Sequence, residues 1–274
     1  MRLALAQLAP TMGDVAANNA AAHDAIAAAA ANGADVVALP ELWDVGYFAF
    51  EAYPDAAESL AGERLASIAD AADEHDVAVL AGTVVEDLAA TAADTDAAVP
   101  AETGYANTSV LFDATGERRL VYRKHHLFGY DSAEADLLVP GERLETADVG
   151  GFTVAATTCY DLRFPELYRE LVELGATLVL VPSAWPYPRV EHWRTLSRAR
   201  AVENQWYLGA VNGVGAQGES RLLGRSTVYD PWGTPIATTD DDADVVYADL
   251  DPSRVADVRE EFPALADRRD AECE

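Results

Sequence analysis

Short apolar runs, each too brief for a helix, recur along this chain between stretches of helical composition, and that alternation restricts it to sheets covered by helices. Arg2–Gln7 reads as a first strand. Asn18 or Asn19 can cap an Ala-rich helix running to about Ala31 and ended by Gly33, and Asp35–Leu39 is a buried-type strand. A helix over Gly62–Glu74 leads to a strand over Val77–Val85. Residues Asp87–Thr103 lack any period and are expected as a surface loop. Asn107–Asp113 and Arg118–Lys124 frame a hairpin around Ala114-Thr115-Gly116. Beyond it come a strand over Phe152–Cys159, a helix over Pro165–Leu174, a strand over Thr177–Val181, an Arg-lined helix over Glu191–Asn204 and a strand over Tyr207–Asn212. A hairpin of Ser226–Asp230 with Pro235–Thr238, a strand over Val245–Leu250 and a short helix over Pro252–Glu261 complete the series. The expected class is α/β with mixed sheets, in a single domain spanning 1–274 whose residues 262–274 form a C-terminal tail.

Charge narrows the partners. Asp and Glu total 47 against 19 Lys and Arg, a formal net charge of −28, which argues against nucleic acid and against an anionic membrane surface. Acidic runs such as Asp240–Asp242 read as solvated surface, and the acid-rich, Ala-rich, Lys-poor composition points to a protein adapted to high salt. The Ala25–Ala31 stretch is interrupted by Asn32 and Gly33, well short of a membrane span. The opening Met1–Gln7 turns polar too soon for a signal peptide. Two cysteines, Cys159 and Cys273, cannot build a disulfide framework, which fits a cytoplasmic protein.

The cations carry a sharper signal. Eighteen of the 19 are Arg, and the single Lys is Lys124. A drift that replaces Lys with Arg on a surface stops where a compact three-donor ammonium is required. Lys124 ends one expected strand, Glu41 follows another, and Cys159 ends a third at a strand-to-helix junction, where a helix dipole lowers a thiol pKa. Thiol, carboxylate and ammonium together suit covalent catalysis. Each residue alone has a plainer reading: a buried structural thiol, a helix-capping Glu, an exposed strand-end charge.

The segments Leu39-Pro40-Glu41-Leu42-Trp43, Tyr122-Arg123-Lys124-His125-His126-Leu127-Phe128 and Cys159-Tyr160-Asp161-Leu162-Arg163-Phe164-Pro165-Glu166-Leu167 resemble the three signature blocks of the nitrilase-like carbon–nitrogen hydrolase superfamily, in order and along nearly the whole chain. Glu134 before Leu138-Val139-Pro140-Gly141, and Trp193-Arg194 through Ala199–Gln205, resemble two more. The resemblance implies a four-layer α-β-β-α sandwich and a homodimer or higher homo-oligomer joined through helices around the cysteine loop. It further implies that Glu41 takes the thiol proton and later activates water. Cys159 forms a thioester and expels ammonia, Lys124 and the backbone N–H of Tyr160 hold the oxyanion, and Glu134 orients Lys124 and the substrate amide. No metal or organic cofactor is implied. Neighbouring His125 and His126 point to opposite faces of a strand, which argues against a His–Cys dyad or a zinc site.

Tyr160–Glu166, Ser183-Ala184-Trp185-Pro186, Pro188-Arg189 and His192-Trp193-Arg194 are similar to the ω-amidase branch, which implies small linear amides of the 2-oxoglutaramate type. Such a substrate needs a cation for its remote carboxylate. Arg189 and Arg163 are candidates, although Arg163 is expected to serve instead as a structural clamp on Glu166 or Asp161. Trp185, Tyr47 and Phe48 are candidates for the pocket wall, and Trp43 fits either wall or core. Carbamoylase, aliphatic amidase, nitrilase, thiol acyltransferase and a catalytically silent interaction protein remain as alternatives.

Overall fold

The structure, a computed structural model, describes residues 1–130 and 132–269. Its centre is a pair of mixed sheets. The seven-stranded sheet runs in the order Asp244–Asp249, Arg2–Gln7, Val36–Ala38, Ala78–Leu80, Tyr105–Phe112, Val84–Asp87, with Arg118–Arg123 also paired to Tyr105–Phe112. The six-stranded sheet runs Pro235–Thr238, Thr227–Tyr229, Tyr207–Asn212, Leu178–Ser183, Phe152–Ala156, Ala147–Val149. Each has a parallel core of short, mostly apolar strands: Leu3 pairs with Val36 and Val36 with Ala78 in one, Val154 with Leu178 and Leu178 with Tyr207 in the other.

Strand alternation sorts the side chains into layers. Leu3, Leu5, Val36, Leu80, Leu111 and Tyr122 of the first sheet face Phe152, Val154, Leu178, Leu180 and Val228 of the second. The intervening Ala4, Ala6, Val37 and Val79 face outward onto Ala22, Ile26, Leu65 and Ile68 of the helices Val15–Ala31 and Glu63–His75. On the opposite side Ala155, Val179, Val181 and Leu208 meet Leu167, Leu171 and Trp193 of Pro165–Glu173 and Val190–Asn204. The architecture is therefore the four-layer α-β-β-α sandwich. Its cohesion comes from residues like Leu3 and Leu178, each contributing about 1.5–3 kcal/mol on full burial. Gly209 leaves room for the facing sheet: a Cβ there would lie 3.2 Å from Leu3 and Leu5 across the interface and 2.8 Å from Leu180 of its own sheet.

Several elements depart from the expectation for reasons visible in the packing. The first helix begins at Val15 and is capped by Asp14, whose Oδ1 accepts from Ala17 N. Asn18 is instead buried, its amide donating to Thr11 O and Asp44 O, so a tertiary demand overrides its capping preference. The expected strand over Val77–Val85 is broken at Gly82, which has φ +54° and packs so closely on Pro40 O that a Cβ would sit 2.0 Å from it. Residues 87–103 are not all loop: Leu88–Asp94 is a helix capped by Asp87, with Leu88 and Thr91 buried. The hairpin Val214–Gln217 with Ser220–Leu223 was not anticipated. Within the acidic run, Asp241 is an anchor as well as a surface residue, accepting from Arg225 Nε at 2.7 Å and from Tyr187 Oη at 2.5 Å. The tail docks at Phe262, whose carbonyl accepts from Gln205 Nε2. Cys273 lies outside the described residues. Among the described residues, no helix is long and apolar enough to cross a membrane.

Candidate active site

Four chain segments converge where the two sheets end on the same side. Glu41 follows Val36–Ala38, Lys124 directly follows Arg118–Arg123, Glu134 opens the short helix Glu134–Leu137, and Cys159 opens the 3-10 turn Cys159–Arg163, three residues beyond Phe152–Ala156. Cys159 has φ +45°, a left-handed conformation that costs a non-glycine residue of order 1–3 kcal/mol and persists only where its surroundings enforce it. Here they do. The buried carboxylate of Asp161 accepts from Thr158 N, Tyr122 Oη, His126 N and His126 Nδ1 at 2.9, 2.6, 3.0 and 2.8 Å, tying the turn to the strand that leads into Lys124. From the helical side Arg200 donates to Leu162 O through Nε and Nη2 at 3.0 and 2.9 Å.

The ionisable groups form one buried cluster. Lys124 Nζ lies 2.7 Å from Glu41 Oε1, 2.7 Å from Glu134 Oε1 and 3.0 Å from Glu134 Oε2. Glu134 Oε2 also accepts from Tyr47 Oη and Phe128 N, both at 2.9 Å, and Glu41 Oε2 accepts from Ala184 N at 2.9 Å. Between the two carboxylates sits Asn107, from the buried strand Tyr105–Phe112, donating to Oε1 of each. Glu41, Lys124 and Glu134 are at most 1% exposed, and Cys159 is 8% exposed.

Burial and mutual charge set the protonation states. Burial raises the Glu41 pKa above the ordinary carboxylate value, with Lys124 opposing the shift and Glu134 adding to it. Burial alone would pull Lys124 down, but Glu134 and Glu41 together hold it well above its usual value, so it stays an ammonium. Burial and then the Glu41 carboxylate push the Cys159 thiol well up, with Lys124 opposing them. This corrects the expectation of a thiol lowered by a helix dipole. Cys159 opens only a five-residue 3-10 turn, too short to supply a strong dipole, and the nearer negative charge of Glu41 acts the other way. The resting cluster thus holds a neutral thiol beside Glu41, with the Lys124 ammonium between the two glutamates.

A cavity of about 280 Å³ opens onto Cys159 and Lys124. Tyr47, Tyr160, Trp185 and Arg189 all line it, as do Phe48, Phe128 and Arg163. Arg163 makes no clamp: Asp161 is already saturated by Tyr122 and His126, and the guanidinium lies 5.0 Å over the Trp185 ring and 5.7 Å from that of Tyr160, with Nη2 3.2 Å from His192 Nδ1. Arg189 lies 5.8 Å over the Phe128 ring. Neither arginine forms a salt bridge among the described residues. Trp43 belongs to the core, its Nε1 donating to Ala81 O at 2.7 Å. His126 is stacked on Phe164 with ring centres 3.6 Å apart, and His125 is stacked on Tyr122. Among the described residues, no group of three or more His, Cys, Asp or Glu is placed to hold a metal ion.

Sequence reasoning missed Asn107 and Asp161. The signal for the first was a polar triplet, Asn107-Thr108-Ser109, inside a strand whose other residues are apolar or aromatic.

Residues 2–260 match the family model described as Carbon-nitrogen hydrolase. A 2-oxoglutaramate amidase of Paenarthrobacter nicotinovorans is 37% identical over 242 residues, 86% of this chain and 79% of the relative. The omega-amidase NIT2 of Homo sapiens is 31% identical, covering 98% of this chain and 95% of its own. Among solved structures, XC1258 of Xanthomonas campestris, described as a CN-hydrolase superfamily protein, superposes with a TM-score of 0.86 at 29% identity, covering 100% of this chain and 99% of its own. A variant of an amidase from Nesterenkonia, with acrylamide added to its active-site cysteine, superposes with a TM-score of 0.80 at 28% identity, covering 97% and 99%.

Proposed function

Because the chain belongs to the carbon–nitrogen hydrolase family, we propose that Cys159 hydrolyses the terminal amide of a small linear carboxylated substrate of the 2-oxoglutaramate type. The observation that carries this reading is a cavity that brings Cys159 and Lys124, the latter paired with buried Glu41 behind it, together with two arginines that have no acidic partner among the described residues.

Glu41 accepts the thiol proton, and the sulfur attacks the amide carbon. The oxyanion that develops is stabilised by Lys124 and the backbone N–H of Tyr160. Lys124 has three hydrogens. One serves Glu41, one is shared by the two Glu134 oxygens, and one is left for the oxyanion. Protonated Glu41 then gives its proton to the leaving nitrogen, ammonia departs, and a thioester remains. Glu41, ionised again, takes a proton from water, which attacks the thioester carbon and releases the carboxylate and the thiol. Glu134, with every lone pair engaged, holds Lys124 in place. The rings of Tyr47, Tyr160 and Trp185 confine the aliphatic part, and Arg163 and Arg189 receive the remote carboxylate, which suits a chain otherwise so acidic.

The test is ammonia release from 2-oxoglutaramate in molar KCl, with Cys159→Ala alongside. Rapid release lost in the variant is the expected result. No release from this substrate, while iodoacetamide still labels Cys159, would redirect the assignment to carbamoyl compounds, neutral amides or nitriles.

The wider setting belongs to the same proposal. We read 1–274 as one domain in a cytoplasmic, salt-adapted homodimer or higher homo-oligomer. Exposed Leu174, Val202, Trp232 and Phe262 near the cysteine-side helices support association there, and light scattering in KCl tests it. A melting temperature that rises with KCl supports the salt adaptation.

A further inference from the structure

Asn107 lies with its Nδ2 2.9 Å from Glu41 Oε1 and 3.2 Å from Glu134 Oε1. The opposite amide orientation would set Oδ1 against two carboxylates, acceptor against acceptor, so only the donating orientation is tolerable. In that orientation Oδ1 is buried with no hydrogen-bond partner among the described residues. An apolar side chain would avoid the unsatisfied acceptor, so the residue's place in the strand is explained by its two donors.

Those donors change what the carboxylates can do. A carboxylate offers about four lone-pair positions. On Glu41, Oε1 takes Lys124 and Asn107, while Oε2 takes Ala184 N and keeps one position. On Glu134, Oε1 takes Lys124 and Asn107, and Oε2 takes Tyr47, Phe128 and a longer contact to Lys124. Only Glu41 has room for another proton, and only on Oε2.

We propose that Asn107 is a positioning residue for the general base: its two N–H groups close Oε1 of both glutamates, keep Glu41 ionised in a buried site, and direct proton traffic through Glu41 Oε2. In the first step the Sγ–H bond breaks and an Oε2–H bond forms, with no net change of charge in the cluster. Lys124 alone could neutralise one carboxylate; Asn107 makes a second buried carboxylate tolerable without adding charge. The inference rests on the reading of Glu41 as the base.

The experiment is Asn107→Ala in the full chain, in the same KCl buffer as wild type. Three quantities are read: the pH profile of kcat/KM for ammonia release, the pH profile of Cys159 alkylation by iodoacetamide, and thermal unfolding. Losing a donor destabilises the Glu41 carboxylate, so the base is protonated at higher pH. The acid limbs of both profiles are expected to move up by about one to two pH units, the worth of one hydrogen bond to a charged group. KM should change little. The position of a limb does not depend on how much protein is folded, so a purely structural role would lower the amplitude and leave the limb where it was. That result overturns the proposal. Asn107→Ser is read in the same way if the alanine variant does not fold. Glu41→Gln separates the two levels: turnover retained in Glu41→Gln refutes Glu41 as base, whereas a dead Glu41→Gln with an unmoved limb in Asn107→Ala refutes only the role of Asn107.

Discussion

Replacing Lys124 with Met keeps an unbranched side chain, one atom shorter, and removes its charge. Lys124 and both its acidic partners are buried, with side-chain exposures of 1% for the lysine and 0% for each carboxylate. Wild type holds two carboxylates against one ammonium; the variant leaves both without a counter-charge in a medium that cannot solvate them. Breaking a buried pair by removing one partner costs about 3–5 kcal/mol. For a chain of this size, about 2–4 °C of melting temperature accompanies each kcal/mol, so the variant should melt roughly 6–20 °C lower at pH 8. The deficit should depend on pH with a definite sign. Without Lys124, which opposes the effect of burial on Glu41, the folded-state pKa of Glu41 rises still further above its unfolded value. Stability is then lost at high pH and recovered as pH falls through the raised value, because a protonated carboxyl donates to its neighbour in place of the ammonium. Thermal unfolding by circular dichroism at pH 8 and pH 5, in constant KCl, measures both effects. A variant that melts with wild type at pH 8, or a deficit equal at the two pH values, would refute the reasoning.

Lys124→Arg keeps the charge, but a planar fork cannot occupy an ammonium's place between three oxygens. Its kcat should fall by about 10²–10³, the worth of one oxyanion donor, and a fully active variant would show the lone lysine to be coincidence. Asp44 is buried and its pKa is pushed up to about 6 by burial, against the opposing charge of Arg64 at 3.1 Å. Its contribution to stability is therefore full below about pH 4 and lost as pH rises through about 6. Asp44→Asn should gain on wild type by up to about 3 kcal/mol between pH 4 and pH 8 in chemical unfolding, and parallel profiles would contradict this. Arg163→Met should raise KM for carboxylated amides by about 10- to 100-fold and leave neutral amides unaffected, and a uniform loss on both substrates would remove Arg163 from carboxylate recognition.

The sequence made the reactive centre legible for identifiable reasons. Lys124 stands out as the single lysine among 19 basic residues, and Glu41 and Cys159 because apolar strands deliver them to loop positions. The layers were legible only through the family resemblance; the alternation of Leu3/Leu5 and Ala4/Ala6 between the two core clusters is the physical basis that the structure adds. The features that stayed hidden depend on partners distant in the chain. Arg163 reads as a clamp because Asp161 and Glu166 are its neighbours in sequence, yet Tyr122 and His126, 39 and 35 residues away from Asp161, already fill that carboxylate. Asn18 reads as a cap, but Thr11 and the carbonyl of Asp44 claim its amide. Asn107 reads as an ordinary polar strand residue, and only the convergence of Glu41 and Glu134 across 66 and 27 residues gives it a role. The helix Leu88–Asp94 hid because its stability comes from the buried Leu88 and Thr91 and not from any period along its own sequence.

The central claim is a thioester on Cys159 formed with Glu41 as base. Intact-mass analysis of enzyme quenched with acid during turnover of 2-oxoglutaramate tests it most directly, followed by peptide mapping. The account predicts a mass increase equal to the substrate less ammonia, confined to the peptide carrying Cys159 and absent from Cys159→Ala. Ammonia release that continues in Cys159→Ala, or an acyl group mapped to another residue, would contradict it.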